Sequence, residues 1–196
     1  MIVPMKTAVT SIIYEFICIV RHLFGLIFTP YYTMRSIALR PSLAQAAVIW
    51  TIAIVYLGSL HASRVWFFML QMGVLCTYFY LATRFFKNPA SASRVAVLFS
   101  YTLWPTIVWF FTNRAIYHVL PPPRTTSTLG IGFSIFFISF SISILIWKMI
   151  LFYLAARYSL KQHFWKVVYT IVLYMPIAIA LTYIGYVLKI SRIPFL

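Results

Sequence analysis

RVAVLFSYTLWPTIVWFF, residues 94–111, decides how the whole chain is read. The stretch is apolar and long enough to enter a bilayer, and Trp104-Pro105 interrupts it near its middle. A proline inside a helix removes one backbone hydrogen bond and crowds the preceding turn, which predicts a kink at Pro105. Lipid tolerates such a kink where hydroxyls or neighbouring helices satisfy the freed carbonyl. Ser100, Tyr101 and Thr102 are at hand for that purpose.

Apolar runs of similar or greater length lie on both sides. Of 196 residues, 63% are apolar and 9% charged, which leaves no room for a water-soluble domain. The expected fold is an all-α integral membrane protein, with five transmembrane helices preceded by an amphipathic interfacial helix. The membrane domain is expected over residues 42–188, with spans at about 42–60, 65–86, 94–111, 129–156 and 167–188, then a short tail at 189–196. Pro176 marks a second expected kink, in the fifth span. In the fourth, Gly130 and Ser134, and Ser139 and Ser143, have the small-residue spacing that lets helices approach closely.

Residues 1–41 read as the interfacial helix and a basic juxtamembrane segment. Residues 1–5 show neither a charged start nor a small-residue cleavage site, which argues against a removed signal peptide. Within 6–28, Glu15 and His22 share a helical face, with Arg21 and Ser11 near it. Ile12, Phe16, Ile19, Leu23 and Phe24 fall elsewhere, a pattern that suits a helix lying in the interface. A sixth spanning helix is the alternative. Thr29-Pro30 stops the segment, and Arg35 and Arg40 follow in a short aromatic stretch placed to meet phosphates. Asn88-Pro89 signals a turn, and Pro121-Pro122-Pro123 a stiff extended piece in the loop 112–128.

Sixteen Lys and Arg face one acid, Glu15. With five spans, one side holds Lys6, Arg21, Arg35, Arg40, Arg84, Lys87, Arg94, Arg157, Lys161 and Lys166. The other holds Arg64, Arg114, Arg124, Lys189 and Arg192. The excess places the N-terminus in the cytoplasm and the C-terminus outside, in the plasma (inner) membrane. Loading of cytoplasmic linkers is the plain account of the charge. The sharper one is a surface for anionic head groups, with Arg35, Arg40, Arg84, Lys87, Arg94, Arg157, Lys161 and Lys166 as phosphate contacts. Nucleic acid is not an expected partner, because no basic segment lies away from a membrane flank.

Lys148 is the one base inside a span. An ionisable group there marks a functional candidate unless it snorkels to the interface. Glu15 is the only acid of this chain able to pair with it. The four histidines are scattered, and Cys18 and Cys76 sit in apolar contexts as buried thiols. No metal cluster, carboxylate pair or activated nucleophile is legible, so no cofactor and no enzymatic activity are expected.

Three segments, in order, resemble the Ypt/Rab-interacting (Yip) family of membrane proteins. FTPYYTMRSIALRPS, residues 28–42, is similar to the family's approach to its first span. SYTLWPTI, residues 100–107, is similar to its Tyr-Ser-x-x-Pro signature. IWKMILFYLAARYSLKQHFWKV, residues 146–167, resembles its fourth span and basic linker. The resemblance implies a five-helix domain with a cytoplasmic N-terminus. Eukaryotic members act in vesicle traffic and bind prenylated GTPases. This chain lacks their long N-terminal region and Tyr-Gly-Pro-type segment, so it resembles the short prokaryotic-type form, for which GTPase binding is not implied.

The expected function is that of a non-enzymatic organiser of membrane or partner proteins, acting through anionic lipid at its basic cytoplasmic face. Two alternatives are a small channel or permease subunit with a site near Lys148, between helices kinked at Pro105 and Pro176, and an accessory subunit of a larger complex. A homo-oligomer or an acidic partner subunit would suit these.

Overall fold

A computed structural model describes residues 5–87, 90–119 and 127–190, with side chains from Tyr14 onward. Asn88-Pro89, the triple proline, Arg124, the side chains of Lys6, Ser11 and Ile12, and tail residues 191–196, Arg192 among them, lie outside the described residues. Within them the chain forms eight helices. They are α1 (Met5–Phe28), α2 (Pro30–Leu39), α3 (Leu43–Gly58), α4 (Ala62–Phe85), α5 (Ala92–Tyr101), α6 (Trp104–Val119), α7 (Thr128–Leu160) and α8 (Phe164–Val187).

Four stretches are long and apolar enough to cross a membrane: α4, α5 with α6 (Ala92–Val119), α7 and α8. The first expected span falls on α3, an apolar helix of 16 residues. At 1.5 Å per residue it is roughly 24 Å long, short of a core about 30 Å thick. Two boundaries differ from expectation. The third span continues as helix to Val119, shortening the loop, and the fourth runs on to Leu160 through part of the basic linker.

Helix ends follow local chemistry. The Ser91 hydroxyl accepts the Arg94 N–H at the start of α5, and Ser127 accepts that of Gly130 at the start of α7. Lys87, Lys161 and Lys189, just past the ends of α4, α7 and α8, take a left-handed backbone (φ 54°, 50° and 56°) where glycine is usual. A lysine there places its charge at the negative end of the helix dipole.

The opening stretch is the centre of the bundle. Val95, Val97, Leu98, Phe99 and Tyr101 are completely buried, with α2, α3, α4 and α7 packed around α5. Phe99 joins a layer of rings from four helices. Phe79 of α4 lies 4.5 Å from Phe99, Phe152 of α7 lies 5.4 Å from Phe99, and Tyr174 of α8 lies 5.7 Å from Phe79. The buried part of α7 is its last third, from Leu151 to Leu160, whereas Leu129, Ile131, Ile135, Phe136, Ile138 and Ile142 are exposed. In a bilayer such side chains need no protein partner, because lipid is as apolar as they are.

Pro105 does not bend a continuous helix. α5 ends at Tyr101, Thr102 and Leu103 close tight turns onto Phe99 and Ser100, and α6 starts at Trp104. Pro105 therefore sits in a first turn, where its missing N–H costs nothing. The hydroxyls expected on the freed carbonyl go elsewhere. Ser100 donates to Ala96 O at 2.6 Å, Thr102 to Phe99 O at 2.7 Å, and Tyr101 reaches across to α3. Pro176, by contrast, lies inside α8, which runs through it.

Candidate functional site

Three helices meet in a buried polar chain. The Glu15 carboxylate of α1 accepts hydrogen bonds from Ser42 Oγ (3.2 Å) and Gln45 Nε2 (2.7 Å). Ser42 stands at the N-cap position of α3 without a side-chain capping bond, and Gln45 lies in the first turn. The only acid of the chain thus stands at a helix N-terminus, where the dipole favours an anion by about 0.3–1 kcal/mol. Gln45 turns its carbonyl the other way, and Tyr101 Oη donates to Gln45 Oε1. His22 Nδ1 lies 3.0 Å from the same hydroxyl, its ring edge-on to Tyr101.

Proton counting orients the chain. An ionised carboxylate only accepts, so Gln45 must present its NH₂ to Glu15 and its carbonyl to Tyr101. The Tyr101 hydroxyl has a single proton and gives it to Gln45, so His22 Nδ1 is the donor to Tyr101. Burial pushes the His22 imidazole below its ordinary value, with Arg21 adding to this, while Gln45 and Glu15 oppose it. Gln45 and Tyr101 are themselves buried.

This arrangement turns the Glu15–His22 face of α1 inward. Ile19 and Leu26 lie buried on the same side, and Phe16, Ile17, Phe24, Ile27 and Phe28 are exposed. The Glu15–His22 face meets α3 and α5, and Ile19, expected away from that face, is buried on it. The Trp147 indole donates to Leu26 O at 3.1 Å, tying α1 to α7.

Lys148, next to that tryptophan, is half-buried. Glu15 and Leu26 are eleven residues apart on α1, roughly 16 Å along the helix. The structure therefore does not bring Glu15 and Lys148 together. Glu15 is engaged by the neutral donors Ser42 and Gln45.

The eight basic residues expected to meet phosphates do share one end of the bundle. Their positions are α2, the end of α4, the starts of α5 and α8, and the end of α7 with the turn after it. The aromatic layer fixes this relation, because Phe79, Phe99, Phe152 and Tyr174 all lie within about three turns of those helix ends. Arg35, Arg40, Arg84, Lys87, Arg157, Lys161 and Lys166 are exposed, and Arg94 is half-buried. Aromatic faces hold some of them: Arg157 lies 5.8 Å from the Tyr31 ring, Lys166 5.8 Å from Phe86 and Arg84 5.2 Å from Tyr80. Arg94 Nε and Ser159 Oγ are buried without a partner among the described residues.

Reading the sequence alone missed Gln45 and the part played by Tyr101. Gln45 is the single amide in an otherwise apolar span, which is a usable signal for a buried polar contact.

No family model, curated protein or solved structure matches this chain. The likeness to the Yip family accordingly rests on the three quoted segments.

Proposed function

We propose that this is a non-enzymatic, Yip-like multi-pass membrane protein that organises membrane or partner proteins by holding anionic lipid at its basic end. One observation carries the reading: eight bases gather at one end, seven of them exposed, while the sole acid is turned inward onto Ser42 and Gln45. Each base near an anionic leaflet adds about 1 kcal/mol of attraction, and the single carboxylate at that end, Glu15, can offset no more than one of the eight.

The length of α7 supports this reading. Its 33 residues measure roughly 50 Å, about 20 Å more than a hydrocarbon core. The excess lets Arg157 and Lys161, at its C-terminal end, reach head-group level. α3 makes the first of five crossings, and the basic end faces the cytoplasm, as the distribution of Lys and Arg argues.

The test is lipid retention by the full-length protein, extracted gently and analysed by native mass spectrometry against equimolar phosphatidylglycerol and phosphatidylcholine. Wild type retains phosphatidylglycerol preferentially, and the Arg157→Gln/Lys161→Gln/Lys166→Gln variant loses most of that preference. Equal retention of both lipids by wild type overturns the reading.

A further inference from the structure

The opposite end of the molecule carries a cavity that the basic-end reading does not use. It has a volume of about 440 Å³, within the ~300–1,000 Å³ of ordinary ligand clefts. It opens between α3 and α6 and is lined by Thr51, Ile52, Val55, Tyr56, Ser59, Phe111 and Arg114.

Its two ends differ chemically. At the rim, Arg114 Nη1 donates to Ser59 Oγ at 3.4 Å, and Ser59 donates its own proton to Tyr56 O at 2.7 Å. The groove lies far from the chain's one acid, since Glu15 is held at the other end of α3, so the Arg114 guanidinium has only a neutral hydroxyl beside it there. Away from the rim the lining is apolar except for Thr51, whose hydroxyl donates to Ala47 O. Ile52 lies seven residues before Ser59, roughly 10 Å deeper along α3. Tyr56 is held stiffly, stacked on Phe110 with ring centroids 4.8 Å apart, and Phe111 adds a second ring at 5.5 Å.

We infer that this groove binds one anionic phospholipid, its phosphate on Arg114 and one acyl chain along Ile52, Val55 and Phe111. Charge complementarity selects the head group. An Arg fork matches phosphate oxygens in pairs, and here it is left with a neutral hydroxyl as its protein partner. The direction of the groove selects the tail: a polar rim at a helix end and an apolar floor running toward the middle of the span match a lipid lying parallel to the helices. A zwitterionic lipid would bring its own cation against Arg114.

The experiment titrates phosphatidylglycerol onto delipidated full-length protein in neutral detergent, counting bound lipids by native mass spectrometry. Three variants are compared with wild type: Arg114→Gln, Val55→Trp, and the basic-end triple Arg157→Gln/Lys161→Gln/Lys166→Gln. One lipid per chain is expected to survive in the triple variant. Arg114→Gln and Val55→Trp each weaken that lipid roughly tenfold, the usual scale for one charged hydrogen bond or one blocked apolar contact. Inorganic phosphate at the same concentration does not displace it. A phosphatidylglycerol occupancy unchanged in both Arg114→Gln and Val55→Trp overturns the site. So does loss to Arg114→Gln with no effect of Val55→Trp and full competition by phosphate, which would describe a free-anion site. Phosphatidylcholine binding as tightly as phosphatidylglycerol overturns the assignment of charge. Loss of every bound lipid in the triple variant alone overturns the groove while leaving the basic-end reading standing.

Discussion

At the level of single residues, Tyr101 is the side chain on which α1, α3 and α5 agree. It is fully buried, donates to Gln45 and receives His22, so Tyr101→Phe leaves both partners without their mate. The expected cost is about 1–3 kcal/mol, read as a lower unfolding midpoint in detergent, with the fold retained. An unchanged midpoint would show that the polar chain does not hold the helices. His22 adds a pH dependence of defined sign. Its docked imidazole sits below the ordinary 6.5, so the unfolded chain takes up a proton that the folded one refuses. Stability is therefore full above about pH 6.5 and falls as the pH drops below it. His22→Gln keeps a donor for Tyr101 without titrating, and the difference between its pH profile and that of wild type isolates the effect. Of these residues the sequence showed Glu15 and His22 on one face, because helical periodicity is local. It did not show Gln45 facing them, because that pairing bridges thirty residues of chain between Gln45 and Glu15.

At the level of elements, residues 94–111 were legible as a membrane helix kinked at Trp104-Pro105, whereas the interruption falls at Thr102 and Leu103, just before the proline. Its form was not legible, since the same proline can kink a helix interior or open a new helix, and only the tight turns at Thr102 and Leu103 decide between them. What the stretch packs against also escaped the sequence, as rings that fill a core and rings that face lipid have the same composition. The ring layer around Phe79 and Phe99 separates the two cases. Phe79→Ala should cost roughly 3 kcal/mol, because Phe79 is completely buried and touches three other helices through its ring. Phe136→Ala, on the exposed part of α7, should stay within about 0.5 kcal/mol of wild type. Thermal unfolding of both variants in one detergent checks the pair, and similar losses would place the core elsewhere.

At the level of the whole molecule, composition alone pointed to a helical membrane protein, and four helices of spanning length agree with it. The gathering of basic residues followed from counting linkers on alternate sides, a rule that needs only span order. The inward turn of Glu15 could not be counted this way, and one carboxylate against eight bases leaves that end strongly positive. An anionic bilayer should therefore act as a ligand of the folded state, raising its stability by mass action. The most direct measurement is the unfolding midpoint of full-length protein in bilayer discs of phosphatidylglycerol against discs of phosphatidylcholine at low ionic strength. The account predicts a higher midpoint in phosphatidylglycerol, a gain that salt diminishes and that the Arg157→Gln/Lys161→Gln/Lys166→Gln variant largely loses. Equal midpoints in the two lipids, or a gain that the variant keeps in full, would contradict it.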